Sequence, residues 1–429
     1  MRLLTLGLLL APSAFAADDL MSLYQDAINT HPSLQSAQAA LDAARFDVDA
    51  ASSALRPTLN ATANLNGSEV TRSTSSSVAE TGSSSVDGAL SARIALWGPS
   101  EQAAIAAAKA GAALSETSAQ STLNELQLGI AQRYLDVLDA QAGLSAAQAQ
   151  TQAIERQLER AQKRLEVGLG TRVEVDQTQA AYDNAQVALI RAQDSLADAR
   201  EALATTVNRP VNDIAALSDR YPAARSELTL DQVIEQAQNN STAVRVAQQQ
   251  VQLARAALAQ AQATEKPRLD ATASYSTSKN LEGGLWGNGY STKLTLSLPI
   301  YTGGKAQAQV AGAQAKLSQA QADLEAQRRD VKSQARSLYR TIATQAQSVR
   351  AQAQSIRSAQ SALQATEAAF EVGSGDIIDV LNAQSDLNAA QSNYAQSRHQ
   401  HALLVLQLEQ LRGDLNQEDL VALNANLGD

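Results

Sequence analysis

The sequence predicts a duplicated α+β chain in which long helical hairpins carry short β-hairpins. Three observations predict it. First, Val372 to Asp386 (VGSGDIIDVLNAQSD) repeats the pattern of Val167 to Ala181 (VGLGTRVEVDQTQAA), with Gly168 on Gly373, Gly170 on Gly375 and Val175 on Val380. Second, each half switches from helical spacing to strict alternation and back. Third, all eight prolines fall in the N-terminal segment, at joints, in strands or at a helix start, leaving two very long helical tracts unbroken.

Composition fits an elongated chain better than a globular one. Aromatics make up 3% of the residues, and Ala-Gln pairs recur through long tracts, so close helix packing by small side chains replaces a thick core. A net charge of −10 disfavours a nucleic-acid partner, because phosphate binding needs a basic face. The absence of cysteine excludes a disulfide framework, a thiolate zinc site and a lipidated N-terminal cysteine.

The chain begins Met1-Arg2, runs apolar from Leu3 to Leu10, and reaches Ala14-Phe15-Ala16 before Asp18-Asp19. This is the pattern of a secretory signal peptide over 1–16, cut after Ala16. The apolar run is shorter than the roughly 20 residues of a spanning helix, and no later run approaches that length.

The rest divides into repeat 1 (17–207), a connector (208–226) with Pro210 and Pro222, and repeat 2 (227–429). In each repeat a helical segment, Ser33 to Leu55 or Ala243 to Thr264, stops before a proline, Pro57 or Pro267. Alternation follows. Leu59, Ala61, Ala63 and Leu65 share one face, and Leu90, Ala92, Ile94 and Leu96 share another beyond a Ser/Thr/Gly-rich loop expected at 66–86. Repeat 2 matches with Leu269, Ala271, Ala273 and Tyr275, a Gly-rich loop expected at 283–289, then Leu294, Leu296, Leu298 and Ile300. The β-hairpins are thus expected at about 57–97 and 267–301, each with an apolar and a polar face. Trp97 and Tyr301 end them, either as interfacial aromatics or as packing on a helix end.

From Lys305 an apolar seam steps by fours and threes through Ala306, Val310, Ala313, Leu317, Ala320 and Leu324 and resumes through Leu338, Ile342, Val349, Ala353, Ile356 and Leu363. Unbroken to Phe370, that helix would be on the order of 100 Å long at 1.5 Å per residue. Its counterpart runs from Ser100 to Glu166. Turns at about 167–172 and 372–377 lead into return helices, Glu174 to Val207 and Ile378 to Gly413.

Strands exposed to lipid must leave no unpaired edge, and four strands cannot close a barrel. About eight strands give a barrel filled by its own side chains. Pooling three chains supplies about twelve, an even number beyond the filled size. The expected architecture is a trimeric 12-stranded outer-membrane β-barrel, four strands per chain, continued by a periplasmic α-helical barrel of coiled-coil hairpins.

The sequence also resembles TolC-family outer-membrane channels of Gram-negative bacteria over essentially the whole mature chain. The resemblance is carried by Leu298-Pro299-Ile300-Tyr301-Thr302-Gly303-Gly304, by Val372-Gly373 with Ile378-Asp379-Val380-Leu381, and by Leu415 to Leu420 with Ala422-Leu423-Asn424. It implies a homotrimer embedded in outer-membrane lipid with a large periplasmic extension. Such a channel serves type I secretion or multidrug efflux beside a periplasmic adaptor (membrane fusion protein) and an inner-membrane ABC or proton-driven pump, with no cofactor and no catalysis.

The resemblance places Asp379 on an acidic periplasmic ring, with Asn382 at the second ring position and Asp376 nearby to restore its charge. It also implies a latch of acid, tyrosine and arginine, for which this chain offers Glu159, Phe370 and Gly375. Arg398 matches a gate-region arginine, with Arg172 or Arg164 as substitutes. Adaptor docking maps to Val167, Gly168, Leu169 and Gly170 and to Val372, Gly373, Ser374 and Gly375. Read from the residues alone, these glycines permit tight helix-to-helix turns, while Asp376 caps a helix whose first turn holds Asp379.

An enzyme finds no support, since His31, His399 and His401 match no metal spacing or triad, and His399 and His401 do not share a helix face. The alternative is a periplasmic coiled-coil adaptor or structural protein. It accounts for the seams but not for four amphipathic strands.

Overall fold

The computed structural model describes residues 18–74, 77–218, 221–223, 228–281, 283–284 and 286–428. The signal peptide expected at 1–16 lies outside the described residues. In chain order come α1 (Leu20–Thr30), α2 (Pro32–Ser53), β1 (Thr58–Thr74), β2 (Ser77–Trp97), α3 (Pro99–Glu166) and α4 (Arg172–Val207). There follow α5 (Leu230–Asn240), α6 (Thr242–Ala263), β3 (Arg268–Asn280), β4 (Trp286–Ser297), α7 (Lys305–Glu371), α8 (Ile377–Arg412) and α9 (Gln417–Asn424).

The duplication is legible in the element lengths. The first and fifth helices have 11 residues, the second and sixth 22, the third and seventh 68 and 67, and the fourth and eighth 36. Each return helix ends on a left-handed residue, Asn208 at φ 55° and Gly413 at φ 77°.

Cα packing divides the chain into two compact units. One comprises 36–119 and 243–328 and contains the four-stranded antiparallel sheet, in the order β1-β2-β3-β4. Its register sets the two faces. Leu59 pairs with Ala92, Ala92 with Ala273, and Ala273 with Thr292, while Asn60, Ser91, Ser274 and Ser291 make the adjoining row on the other face.

Three sequence expectations need correction. The loop expected at 66–86 is largely strand, since β1 and β2 pair from Thr58↔Arg93 out to Thr74↔Ser77. Ser and Thr there satisfy β geometry as readily as loop geometry. The loop expected at 283–289 is shorter, because β4 begins at Trp286. Its far end lies at Ser297 rather than Ile300, where Pro299 has no amide to donate to a ladder.

The other unit comprises 18–35, 120–242 and 329–428 among the described residues. It holds a larger apolar core than the composition suggested, with Leu20 and Leu23, Ile130 and Tyr134, Leu203, Leu406 and Leu420 joined in one buried cluster. The short helices α1, α5 and α9 that supply part of it were not expected from periodicity. Their signals are caps: Asp19 accepts from Ser22 N, and Thr229 with Gln232 and Asn416 with Asp419 form capping boxes.

Connector and N-terminus are locked into this unit by polar contacts. Arg209 reaches Asp18 at 2.8 Å and Asp26 at 2.6 Å, and Tyr134 Oη donates to the Ala215 carbonyl at 2.7 Å. Burial, reinforced by the Asp19 charge, pushes the Tyr134 phenol well above its ordinary range.

Candidate functional site at the helical tips

The two tips are built alike, atom for atom. At the first, Gly168 N donates to Leu165 O at 3.1 Å, while Leu169 N and Gly170 N both donate to Arg164 O at 2.8 and 3.0 Å. At the second, Gly373 N donates to Phe370 O at 3.0 Å, while Ser374 N and Gly375 N donate to Ala369 O at 2.9 and 3.1 Å. The shared geometry explains both pairs of glycines. Gly168 and Gly373 have φ of 74° and 78°, the left-handed region. A Cβ on Gly170 would lie 3.0 Å from Arg164 Cβ, and one on Gly375 3.1 Å from Phe370 N.

Apolar side chains are left in the open at these turns. Val167, Leu169 and Val372 are 68%, 74% and 80% exposed. The neighbouring Ile377 and Val380 are buried with Phe370 and Leu363, so the tips present separate inward and outward apolar sets.

Asp376 is the N-cap of α8, accepting from Ile378 N at 3.1 Å, and Asp379 follows in the first turn. The same helix start therefore satisfies free amides and presents two exposed carboxylates near the turn. Asn382 is also exposed, three residues on and on the Asp379 face.

The residues expected to latch the tip are not brought together. Glu159 is exposed on α3. Phe370, 8% exposed, instead faces Arg164, whose Cζ sits 4.8 Å from the ring centroid. The same arginine donates to the Leu169 carbonyl at 3.3 Å while its own carbonyl holds the first turn, so a single residue ties tip 1 to the helix entering tip 2. Arg172 is engaged elsewhere, with Asp176 at 3.2 Å. The repeat gave no signal for this contact, because at the offset that sets Gly168 on Gly373 the counterpart of Arg164 is Ala369 and that of Phe370 is Leu165.

Arg398 lies apart from the tip. Nineteen residues beyond Asp379 on one helix, it is about 28 Å away along the axis. It is buried and donates to the carbonyls of Leu217 (3.3 Å) and Ser218 in the connector, with Tyr394 beneath it. Neighbouring α8 residues are equally committed: His399 Nδ1 lies 2.5 Å from Asp139 and His401 Nδ1 3.0 Å from the Tyr221 hydroxyl. Burial pushes the Tyr221 phenol up to about 12. Among the described residues no group of His, Asp and Glu is arranged to hold a metal ion.

In the sheet unit, Trp97 ends β2 opposite Leu269 and is partly exposed, while Tyr301 is exposed beyond the end of β4. The residues missed by the sequence reading lie at the other end. Trp286 opposes Lys279, with the ammonium 5.1 Å from its ring, and Tyr290 opposes Tyr275. From Leu269 to Lys279 a strand rises about 33 Å, and a tilt of about 40° reduces this to roughly 25 Å. That is the height of a membrane-facing apolar band between aromatic levels. No described helix is long and apolar enough to cross a membrane. At the base, buried Asp270 is held by Arg93 and Arg268, both at 3.1 Å, and Arg268 reaches Glu101 at 2.7 Å.

A duplicated chain giving four amphipathic strands and paired helical hairpins with bare tips defines a class: subunits of outer-membrane channels with helical extensions. The comparisons give the family. The family model described as "Outer membrane efflux protein" matches residues 23–209 and 233–414, and the chain belongs to that family.

Similar proteins include the outer membrane protein TolC of Vibrio cholerae, 31% identical over 97% of this chain and 95% of its own. TolC of Escherichia coli K12 is 31% identical over 95% and 85%. Among solved structures, the fold matches the Vibrio cholerae outer membrane protein VceC (TM-score 0.78, 20% identity, 92% of this chain and 96% of that one). It also matches CusC (TM-score 0.80, 18% identity, 93% of each). This chain is thus an outer-membrane channel protein of the efflux and secretion class, and its family is one of channels rather than enzymes.

Proposed function

We propose that the chain assembles as a homotrimer to form the exit duct of a three-part export system. It passively conducts cargo handed over by an inner-membrane ABC or proton-driven pump, through a periplasmic adaptor, and catalyses nothing itself. The observation that carries this reading is the four-stranded sheet with one apolar face and two free edges, β1 and β4, in a single chain. Such edges must pair before the sheet can enter lipid, and three copies joined β1 to β4 make a closed barrel of about twelve strands. A coiled-coil adaptor has no use for such a sheet.

In this reading the exposed turns at Val167–Gly170 and Val372–Gly375 receive the adaptor, and opening is a movement of the tips. Three copies of Asp376 and Asp379 ring the periplasmic mouth and attract cations. Asn382 adds a neutral rung, so most of the charge rests on the two aspartates.

The test joins mass and conductance. Outer membranes should yield a heat-sensitive trimer that forms cation-selective channels in planar bilayers. Asp376→Ala combined with Asp379→Ala should bring selectivity close to neutral with the trimer intact. A monomer in the soluble periplasmic fraction would sink the duct, and unchanged selectivity would sink the acidic ring.

A further inference from the structure

We infer that the cavity bounded by α7, α8, α9 and the connector binds a small amphiphilic cation, its apolar body between the helices and its positive end toward Glu409 and Asp419. The site lies within one unit of one chain, so it does not require a second copy.

The cavity is large for a packed core. About 520 Å³ is bounded by Tyr221 and Pro222 of the connector, Ile342 of α7, Val405 and Leu406 of α8 and Leu423 of α9. Close-packed interiors leave few voids wider than a water molecule, whereas small-molecule sites span about 300–1,000 Å³. Ile342, Leu406 and Leu423 are buried within the single chain, so one fold builds the walls. Tyr221 adds an aromatic ring of the kind that suits an organic cation. Its hydroxyl lies 3.0 Å from His401 Nδ1 and the two rings meet edge-on at 5.8 Å, which fixes its place in the lining.

Charge is confined to one end, where Glu409, Arg412 and Asp419 join the lining. Arg412 directs all three guanidinium nitrogens at protein acceptors: Nε donates to Gln236 at 2.7 Å, and the other two bond Glu409 and, at 2.9 Å, Asp414. Between Leu408 and Leu420 the chain carries four acids, Glu409, Asp414, Glu418 and Asp419, and this one arginine. Burial pushes the Glu409 and Asp419 carboxyls up, and the Arg412 charge pulls them back only in part. A guest cation would complete that compensation, and an anion would add to the excess. Arg398, the other cation nearby, is turned to the carbonyls of Leu217 and Ser218. Glu409 lies thirty residues beyond Asp379 on α8, about 45 Å along the axis, so this charge is separate from the acids of the tip.

The lack of native cysteine makes Ala422→Cys, at an exposed position of the lining, the single thiol of the chain. In the purified full-length protein, tetraphenylphosphonium should slow maleimide labelling of that thiol by roughly fivefold or more. Tetraphenylborate, the same shape with the opposite charge, should not, and neither should tetramethylammonium, the charge without the apolar body. Equal slowing by the two tetraphenyl ions overturns the cation preference, equal slowing by tetramethylammonium overturns the apolar seat, and no slowing by any of the three overturns the site. Should Ala422→Cys fail to fold or to react, equilibrium dialysis decides. The unaltered protein should take up tetraphenylphosphonium saturably. Val405→Trp, which fills the cavity, should abolish that uptake, and Glu409→Gln with Asp419→Asn should weaken it roughly tenfold. Uptake unchanged in both variants, or no saturable uptake at all, also overturns the site.

Discussion

At the residue scale, the tip is governed by Arg164. Its carbonyl accepts two amides of the first turn, its guanidinium donates to Leu169, and its planar face covers Phe370 of the second hairpin. A cation–π contact of this partly exposed kind contributes on the order of 1 kcal/mol. If closure depends on the two tips moving together, Phe370→Leu, which keeps the apolar bulk and removes the π face, should raise the resting open probability by roughly fivefold. Arg164→Ala should do so at least as strongly. Single-channel recording checks this, and resting conductance unchanged in both variants would show that the contact is only packing.

Asp19 illustrates titration at the same scale. Burial raises its pKa, but the Ser22 amide and hydroxyl and the Asn424 side chain outweigh burial, so the folded carboxyl sits below its ordinary value. A depressed folded value contributes stability above the unfolded pKa of about 4 that is lost as pH falls through the folded one. Asp19→Asn should therefore lower Tm at pH 7 and flatten its fall below about pH 4; an unaltered acid limb would count against the assignment.

At the element scale, long helices run uninterrupted to turns of fixed geometry, and each turn needs glycine for two separate reasons. A non-glycine residue at φ near 75° costs about 1 kcal/mol, which a helix of 36 residues packed along its length absorbs. Gly168→Asp or Gly373→Asp should accordingly leave the trimer intact while placing a charge between bare apolar side chains. Export should fall by an order of magnitude or more if the tips receive a partner. Export assayed beside trimer yield separates the two effects, and normal export from both variants would remove the tips from docking. The short capped helices make a complementary point: α1, α5 and α9 have 11 residues or fewer, yet their capping residues and, in α1, the helical spacing of Leu20, Leu23, Tyr24 and Ala27 were readable.

At the scale of the whole molecule, the sequence by itself determined the duplication, the two β-hairpins, the unbroken helices and the glycine turns. These depend on spacing and on local backbone chemistry, which a linear chain displays. It placed Asp376 and Asp379 at a helix start correctly for the same reason. What it could not display is pairing at a distance. Ser and Thr between Asn66 and Val86 suit loop and strand equally, and only the ladder with the facing strand decides for strand. Arg398 and Arg164 are both arginines on long helices, but the packing of α8 turns one toward the connector and the packing of α3 turns the other onto Phe370. Tertiary structure decided these because a side chain's partner is set by which helices pack face to face, and that information lies in contacts between residues far apart in the chain.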